Sequence, residues 1–473
     1  MTVVDEIRTR AQASPAHAAL VVDAKEGERR ISYGELLISM EAHAERLRAS
    51  GLAPGERCGL LASQGSGFVE AALGILAAGG CLVPIPDDYG DDTCEEFAGR
   101  AHLHHLVREQ TGFACERLSA PEPVDGDGER TFRTLDPAYL RFSSGTTSAR
   151  KGVILGHAAL ESRLAAANRA LAIGPDDRIL WLLPMAHHFV VSILLYLRSG
   201  ATILFPRGSL ARPVLELANR EAATIFYASP YHLNLLAKDA SDLGLAALRL
   251  AISTAEGIRE DVALRFAARF GHPVVQALGI IEVGIPVWNR ASAATKPTAL
   301  GRPLPDYEVW LRGEDGKPVG RGAPDATGEV CIRGPGLFDA YLEPWTLARD
   351  VLEPDGFRTG DQGWFDADGD LHLAGRRANR INMAGMKFFS EEVEAVLDAH
   401  PAVRRSRVYA REHPHLGEIP VAEIVLADPS REVAIATLAA HCRSRLPSYK
   451  VPREFRIVDE LPLTVTGKLS RRC

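Results

Sequence analysis

One short segment concentrates groups that can bind a polyanion. Residues 141–157 read RFSSGTTSARKGVILGH, in which five hydroxyl side chains precede Lys151. Backbone N–H groups around a glycine form a concave nest for anions, hydroxyls donate further hydrogen bonds, and a lysine neutralises charge. The same composition is also typical of an ordinary Ser/Thr-rich turn. The segment by itself therefore leaves two interpretations, a phosphate-binding loop and a plain turn.

The order of residues in this segment excludes one well-known phosphate loop. A Walker loop needs a glycine, four further residues and then Gly-Lys-Ser/Thr. Here the lysine comes first, as Lys151-Gly152, and the required spacing is missing. The chain is therefore not predicted to be a P-loop nucleotide hydrolase.

The overall composition limits the class of protein. The chain has 473 residues, 46% of them hydrophobic and 24% charged, with a net charge of -7. This length favours more than one domain, and the lack of a basic block argues against nucleic acid as a partner. Seven scattered cysteines without a Cys-x-x-Cys pair indicate reduced thiols in a cytoplasmic protein. No signal core or membrane-length apolar run is found, so we expect no membrane partner.

Alternating helical and strand patterns predict the scaffold that positions the loop. GFVEAALGILAAGG has the pattern of an amphipathic helix, whereas CLVPIP, ATILFP, ATIFYASP and HPVVQALG have that of short buried strands. Strands separated by helices predict parallel sheets with helical crossovers. After about residue 297 the pattern changes to short alternating strands with Asp-Gly turns at 315–316 and 368–369. About a hundred C-terminal residues then form a separate α+β pattern.

Six motifs follow one another in order along nearly the whole chain. They are YGEL with AALGILAAGGCLVPIPDD, SSGTTSARKGV, LPMAHHF, ALGIIEVG, FRTGDQGWFDADGDLHLAGRRANRI and LPLTVTGKLSRR. In this order they resemble the signature motifs of the adenylate-forming superfamily. That superfamily includes acyl- and aryl-CoA ligases, peptide-synthetase adenylation domains and firefly luciferase. The closest likeness in style is to the stand-alone acyl- or aryl-acid ligases.

The resemblance implies an α/β fold with two domains. We expect a large N-terminal domain at residues 1–376, made of two βα-layered subdomains and a small β-barrel. It would hold the acyl pocket and the ATP site. A small mobile α+β domain at residues 377–473 would carry the catalytic lysine and rotate about a hinge at Ala378.

The resemblance also implies a two-step reaction that uses ATP and Mg²⁺. A carboxylate attacks the α-phosphorus of ATP to give an acyl-adenylate and pyrophosphate, and a nucleophile, usually a thiol, then displaces AMP. Both partners of the first step are anions, so the site must supply cations and donors. The implied catalytic residues are Lys468, Thr147 and Glu282, of which Glu282 would hold Mg²⁺. The remaining ATP-binding positions are Ser143, Ser144, Gly145, Thr146, Lys151, Ala255, Glu256, Leu278, Gly279, Asp361 and Arg376.

The acyl pocket is expected beside the LPMAHHF segment. Amino-acid-activating relatives carry an aspartate nearby, and AHHFVVS has no acidic residue. We therefore expect a small or medium aryl or aliphatic acid without a free α-amino group. PMAHHF is similar to a stretch of salicylate- and dihydroxybenzoate-activating ligases. His188 stands where those ligases have an asparagine that contacts the substrate. A hydrogen-bonded histidine of the core is an equal alternative for His188. The implied substrate-binding residues are His187, His188, Phe189, Val190, Tyr227, Ser229, Thr254, Gly279 and Ile280.

The acceptor and the activity have open alternatives. CoA is the first expectation, followed by the phosphopantetheine of a separate acyl carrier protein, or an amine-type nucleophile. Leu278 stands where an aromatic residue is usual, Ile281 where a threonine is usual, and Ala378 where an aspartate or lysine is usual. These departures leave room for a degenerate member that binds nucleotide without turnover. The sequence leaves the oligomeric state open, a homodimer included.

Overall fold

The chain divides into two compact units. The computed structural model describes residues 2–24, 27–109, 113–119, 127–142, 151–320, 322, 326–352, 356–430, 433–462 and 469. The first unit holds the described residues within 1–143, 151–308 and 333–357, and the second those within 309–332 and 358–473. The domain boundary after residue 376 stays a prediction.

The helices lie mostly between strands. In chain order they are α1 (Val3–Ala13), α2 (Tyr33–Ala49), α3 (Ser66–Ala77), α4 (Asp91–Arg100), α5 (Gly128–Thr134), α6 (His157–Leu171), α7 (Met185–His188), a π-helix (Phe189–Ile193), α8 (Leu194–Arg198), α9 (Ala211–Arg220), α10 (Pro230–Lys238), α11 (Glu260–Phe270), α12 (Ala348–Val351), a 3₁₀ helix (Arg377–Asn379), α13 (Ser390–Asp398) and α14 (Ile435–Arg443).

The strands are short, most of them with four to seven residues. In chain order they are β1 (Ala18–Ala24), β2 (Gly27–Ser32), β3 (Arg57–Leu61), β4 (Cys81–Ile85), β5 (His105–Arg108), β6 (Ala114–Arg117), β7 (Pro137–Phe142), β8 (Gly152–Gly156), β9 (Arg178–Trp181), β10 (Thr202–Phe205), β11 (Ile225–Ala228), β12 (Leu250–Ser253), β13 (Val274–Ile280), β14 (Gly284–Trp288), β15 (Arg302–Pro303), β16 (Glu308–Arg312), β17 (Gly328–Arg333), β18 (Ala340–Tyr341), β19 (Thr346–Leu347), β20 (Phe357–Phe365), β21 (Leu371–Arg376), β22 (Arg380–Met383), β23 (Met386–Phe389), β24 (Val403–His413), β25 (Gly417–Leu426) and β26 (Glu454–Ile457).

One large sheet of the first unit has the order β15-β14-β13-β12-β11-β9-β10-β1-β2 among the described residues. Its strands from β1 through β10, β9, β11 and β12 to β13 run parallel, whereas β2, β14 and β15 pair antiparallel at the two ends. Apolar side chains of α9, α10 and α11 pack with those of the parallel strands in one buried cluster. The prediction of parallel strands with helical crossovers is confirmed, and the ends of these strands lie next to one another.

A second sheet of the first unit carries the ends of the hydroxyl-rich loop. Its order is β19-β18-β8-β7-β4-β3-β5-β6, with β4 parallel to both β3 and β7. Strands β7 and β8 pair antiparallel, so Phe142 lies opposite Gly152. The apolar run VILG after the loop belongs to β8, in which every residue is buried, and Ile154 packs in the core of this sheet. The loop itself, residues 143–150, lies outside the described residues.

The second unit contains two sheets. The first, β16-β17-β20-β21, lies where the sequence predicts a small β-barrel, and its β20–β21 hairpin turns at the predicted Asp368-Gly369 pair. The second, β23-β22-β25-β24 with β26 beside β25, packs with α13 and α14 around a core that includes Val393, Leu397 and Leu438. Across the described ranges, no helix has both the length and the apolar character needed to cross a bilayer.

Candidate active site

The lysine that follows the hydroxyl-rich loop is held over a tyrosine ring. Lys151 is exposed, and its Nζ lies 4.3 Å from the centroid of the Tyr341 ring. Tyr341 is in β18, which pairs antiparallel with β8 and places it opposite Val153. A cation over an aromatic face is attracted by the negative charge density of the ring. The structure thus places this ammonium directly before β8, over the face of the Tyr341 ring.

The same tyrosine contacts the predicted magnesium ligand. Its hydroxyl donates a hydrogen bond of 3.2 Å to Oε1 of Glu282. Glu282 lies in the turn between β13 and β14, and its backbone carbonyl accepts from the Phe338 N–H at 2.8 Å. The sequence motifs identified Lys151 and Glu282 separately and did not identify Tyr341. The structure shows that both residues contact this tyrosine.

A buried arginine holds the turn that carries Glu282. Arg163 in α6 donates to the carbonyl oxygens of Ile281 at 2.8 Å, Glu282 at 3.3 Å and Gly336 at 2.9 Å. It is 2% exposed, and this burial lowers the pKa of its guanidinium to about 10, so it stays charged at neutral pH. The sequence analysis missed Arg163, because nothing in HAALESRL distinguishes it from a surface arginine.

The chemistry of this carboxylate fits magnesium that arrives with a nucleotide. No group of three or more His, Cys, Asp or Glu side chains suited to a metal occurs in the described part of the chain. Magnesium usually keeps several waters and is held by one or two carboxylates together with substrate phosphates. Glu282, whose carboxylate is oriented by Tyr341, matches that donor set and does not form an all-protein metal cage.

The LPMAHHF segment forms an irregular helix against aromatic rings. His187 and His188 end α7, and Phe189 and Val190 begin the π-helix, a local geometry that is frequent at functional sites. Phe189 and Val190 are buried, and the Phe189 ring lies 5.5 Å from that of Phe68. The His187 carbonyl accepts a hydrogen bond from Arg141.

The ring of His188 belongs to an aromatic cluster. Trp181, the last residue of β9, stacks on Tyr227 with ring centroids 5.6 Å apart and planes 8° apart. The His188 ring meets both of them edge-on at 6.3 Å. Burial raises the pKa of Tyr227 to about 12, against the hydrogen bonds with Thr254 and Ser192 that lower it, so its phenol stays neutral. Sequence reasoning missed Trp181, although its place before Pro184 at a strand end could have suggested it.

The other predicted pocket residues follow neighbouring parallel strands. The Thr254 N–H donates to the Ala228 carbonyl at 3.2 Å, and its hydroxyl donates to Ala277 at 3.4 Å. A Cβ at Gly279 would lie 3.6 Å from that hydroxyl, so Thr254 and Gly279 are neighbours. The Ser229 hydroxyl instead lies 2.8 Å from Nδ1 of His232 in α10, the helix that Ser229 directly precedes.

The predicted adenine-side residues are more open. Ala255 and Glu256 are exposed in the turn after β12, and Ala255 adopts a left-handed φ of 77°. Leu278 is half-buried near the end of β13, where it pairs with Val287. The predicted substrate-binding residue Ile280, at the end of the same strand, is half-buried as well. The structure thus gathers the ends of β11, β12 and β13 at one edge of the large sheet.

Two further predicted residues face each other in the second unit. Asp361 and Arg376 are register partners across the β20–β21 hairpin, and Arg376 Nε donates to Asp361 Oδ1 at 3.0 Å. The Asp361 N–H donates to the Thr359 hydroxyl at 3.0 Å, which fixes the strand at this point. Ala378 lies in the 3₁₀ helix directly after β21. Short 3₁₀ turns are common connectors between elements, so the hinge at Ala378 stays a prediction.

Six of the predicted site residues lie outside the described residues. They are Ser143, Ser144, Gly145, Thr146, Thr147 and Lys468.

Comparison with known proteins finds matches over most of the chain. A family model described as AMP-binding enzyme matches residues 7–342, and its C-terminal domain model matches residues 392–468. The chain is 30% identical to sulfoacetate–CoA ligase of Cupriavidus necator, covering 93% of this chain and 91% of that protein. It is 28% identical to a feruloyl-CoA synthase of an Amycolatopsis species, covering 97% and 96%.

A solved structure shows the same fold. The ATP-bound crystal structure of MatB from Rhodopseudomonas palustris superposes with a TM-score of 0.84, covering 99% of this chain and 97% of that one. The two sequences are 23% identical, so this likeness concerns the arrangement of the chain.

Proposed function

Because the chain belongs to the AMP-binding enzyme family, we propose that it activates a small or medium aryl or aliphatic carboxylic acid and transfers it to CoA. It is a ligase of the AMP-forming acyl-CoA synthetase type.

The aromatic cluster of Trp181, Tyr227 and His188 is the observation that carries the proposed substrate. Aromatic and apolar walls with a few polar groups suit a ring or a short hydrocarbon chain. The segment at 184–192 that borders the cluster contains no aspartate or glutamate, so it supplies no partner for an ammonium group. Burying an unpaired ammonium there would be costly, which disfavours free α-amino acids.

The adenylation step follows from the charges of this chain. The substrate carboxylate forms a bond to the α-phosphorus of ATP as the bond to pyrophosphate breaks, and negative charge accumulates on phosphate oxygens. Lys151 supplies a cation for the outer phosphates, and Glu282 would hold the magnesium that neutralises them. Lys468 would supply a compact ammonium charge to the α-phosphate. Asp361 would accept from the ribose hydroxyls beside Arg376.

The transfer step needs a thiol that attacks the acyl carbon and releases AMP. The chain covers more than nine-tenths of two relatives named as CoA-dependent enzymes, and these support CoA as the acceptor. A carrier-protein phosphopantetheine and an amine are the alternatives that a product analysis separates.

A matched pair of acids tests the substrate. We expect 3-phenylpropanoate and benzoate to release pyrophosphate with ATP and Mg²⁺ and to give acyl-AMP by mass spectrometry. Phenylalanine, which adds only the α-amino group to 3-phenylpropanoate, should give at least tenfold less, since an unpaired buried charge costs several kcal/mol. Equal or faster turnover of phenylalanine would refute the proposed substrate class.

The same reaction, with acceptors added, tests the second step. CoA should convert the acyl-AMP to acyl-CoA faster than a holo acyl carrier protein or a small amine does. A carrier thioester or an amide as the main product would replace CoA as the acceptor. ATP binding without pyrophosphate release for any acid would favour a nucleotide-binding protein without turnover.

A further inference from the structure

Tyr341 makes two polar contacts that a tyrosine buried only for packing does not need. It is 4% exposed, its ring face carries the Lys151 ammonium at 4.3 Å, and its hydroxyl donates to Glu282 Oε1 at 3.2 Å. One aromatic side chain therefore stands between a cation and a carboxylate.

The surrounding backbone holds this tyrosine rigidly. Pairing of β18 with β8 continues in the hydrogen bond from the Leu342 N–H to the Gly152 carbonyl at 2.7 Å. The Phe338 ring packs on that of Tyr341 at 4.5 Å, and the Phe338 N–H binds the Glu282 carbonyl. The positions of Tyr341 and Glu282 are thus fixed by the same short segment.

The arrangement keeps both charges available. Lys151 forms no ion pair with any residue that the structure describes, because its ammonium lies on the ring face. The Tyr341 hydroxyl donates a hydrogen bond to Oε1 of Glu282, and Oε2 receives no hydrogen bond from the described residues. A direct Lys–Glu pair would neutralise two groups that ATP and its metal both need.

We propose that Tyr341 is a positioning residue that orients Glu282 toward the metal of a bound nucleotide and holds Lys151 away from that carboxylate. This inference rests on the proposed function, in which Lys151 and Glu282 serve ATP and magnesium. The hydroxyl acts on the metal ligand, whereas the ring acts on the cation. The two contributions are separable, because phenylalanine keeps the ring and leucine keeps neither.

Nucleotide binding with and without metal tests both halves. In Tyr341→Phe, affinity for ATP with Mg²⁺ should fall about tenfold, as expected for losing a hydrogen bond to a charged group, and affinity for ATP in EDTA should not change. In Tyr341→Leu, the affinity should fall in both conditions, since Lys151 can then pair with Glu282 and must be released. Isothermal titration calorimetry measures each affinity without turnover.

Two controls separate an effect on the orientation of Glu282 from a general loss of protein stability. Tyr33→Phe removes another buried hydroxyl, one that donates to the carbonyls of Leu197 and Ala201, and should leave both affinities unchanged. In a Glu282→Gln background, Tyr341→Phe should add nothing to the metal-dependent loss. A full further tenfold loss there would overturn the role of the hydroxyl.

The outcomes also distinguish this inference from the proposed function. If the wild-type chain fails to bind ATP with Mg²⁺, the proposed function falls. If the wild type binds ATP with Mg²⁺, two results for Tyr341→Phe would refute the positioning of Glu282 and leave the proposed function standing. These are an equal loss of affinity with and without metal, and no loss in either condition. If Tyr341→Leu and Tyr341→Phe bind ATP equally in EDTA, the role of the ring falls.

Discussion

At the scale of single residues, the carboxylate of Asp361 is proposed to accept hydrogen bonds from the ribose of ATP. It is 8% exposed and paired with Arg376 at 3.0 Å. In Asp361→Asn one charged acceptor becomes an amide that also donates, so one hydrogen bond to a ribose hydroxyl is weakened or lost. We expect KM for ATP to rise roughly tenfold, about 1.5 kcal/mol, with a smaller change in kcat. Initial rates of pyrophosphate release against ATP concentration measure both.

A second aspartate on the same hairpin provides the control. Asp366 accepts hydrogen bonds from the N–H groups of Asp368 and Asp370 and shapes the β20–β21 turn. Asp366→Asn should lower stability and leave KM for ATP unchanged. An equal rise in KM for both variants would mean that the hairpin, and not the Asp361 carboxylate, sets the affinity.

The sequence identified some of these side chains and missed others for a physical reason. Lys151 and Glu282 are found by motif, because their neighbours along the chain carry the signal. Tyr341 and Arg163 act through contacts with residues 59 and 118 positions away, which only strand pairing and helix packing bring together. Local sequence contains no trace of such contacts.

The turn between β13 and β14 depends on α6 for its position. Arg163 supplies donors to carbonyls on two separate segments, at Ile281 and Gly336. Arg163→Met leaves these buried acceptors without a donor, and we expect the free energy of unfolding to fall by about 3 kcal/mol. Affinity for ATP with Mg²⁺ should fall as well, because Glu282 lies in the loosened turn. Urea denaturation and calorimetry measure the two effects.

An exposed arginine on the same helix is the matched control. Arg169 pairs with Asp306 at 2.8 Å while its side chain is 53% exposed. Arg169→Met should change the free energy of unfolding by at most about 0.5 kcal/mol, as for other surface pairs. Arg163→Met with wild-type stability would show that the turn holds itself.

The sequence predicts strands correctly where a single apolar run forms a single strand. The runs ATILFP, ATIFYASP and HPVVQALG form β10, β11 and β13 as expected. The π-helix at Phe189–Ile193 was not predicted. Its wider turn has no local sequence signal, and its first residue, Phe189, packs against Phe68 from a distant part of the chain.

At the scale of the whole molecule, the order of motifs carried the most information. The predictions of an α/β fold with a large and a small domain and of an adenylate-forming ligase are confirmed. Six motifs in the same order over nearly the whole chain indicate one family, because a chance match to all of them is improbable. The acid, the acceptor and the roles of individual site residues stay predictions, since they depend on contacts with ligands.

The hinge predicted at Ala378 concerns the whole reaction cycle. Proline fixes its own φ and disfavours helical conformations of Arg377 before it, so it limits the backbone conformations that this 3₁₀ turn can adopt. If the second step needs rotation here, Ala378→Pro should leave adenylate formation nearly intact and slow thioester formation. A backbone penalty of ~3 kcal/mol corresponds to about a hundredfold in rate. Pyrophosphate release without CoA reports the first step, and acyl-CoA formation from supplied acyl-AMP reports the second.

Ala378→Ser separates loss of the alanine from loss of backbone freedom. Serine keeps the full range of φ at this position, so both steps should run at wild-type rates, and the difference between the two variants measures the hinge. Equal slowing of both steps in Ala378→Pro would indicate damage to the Asp361–Arg376 pair just before it, which far-UV circular dichroism and KM for ATP would reveal. Wild-type thioester formation in Ala378→Pro would exclude a rotation about φ of this residue, because proline locks that angle.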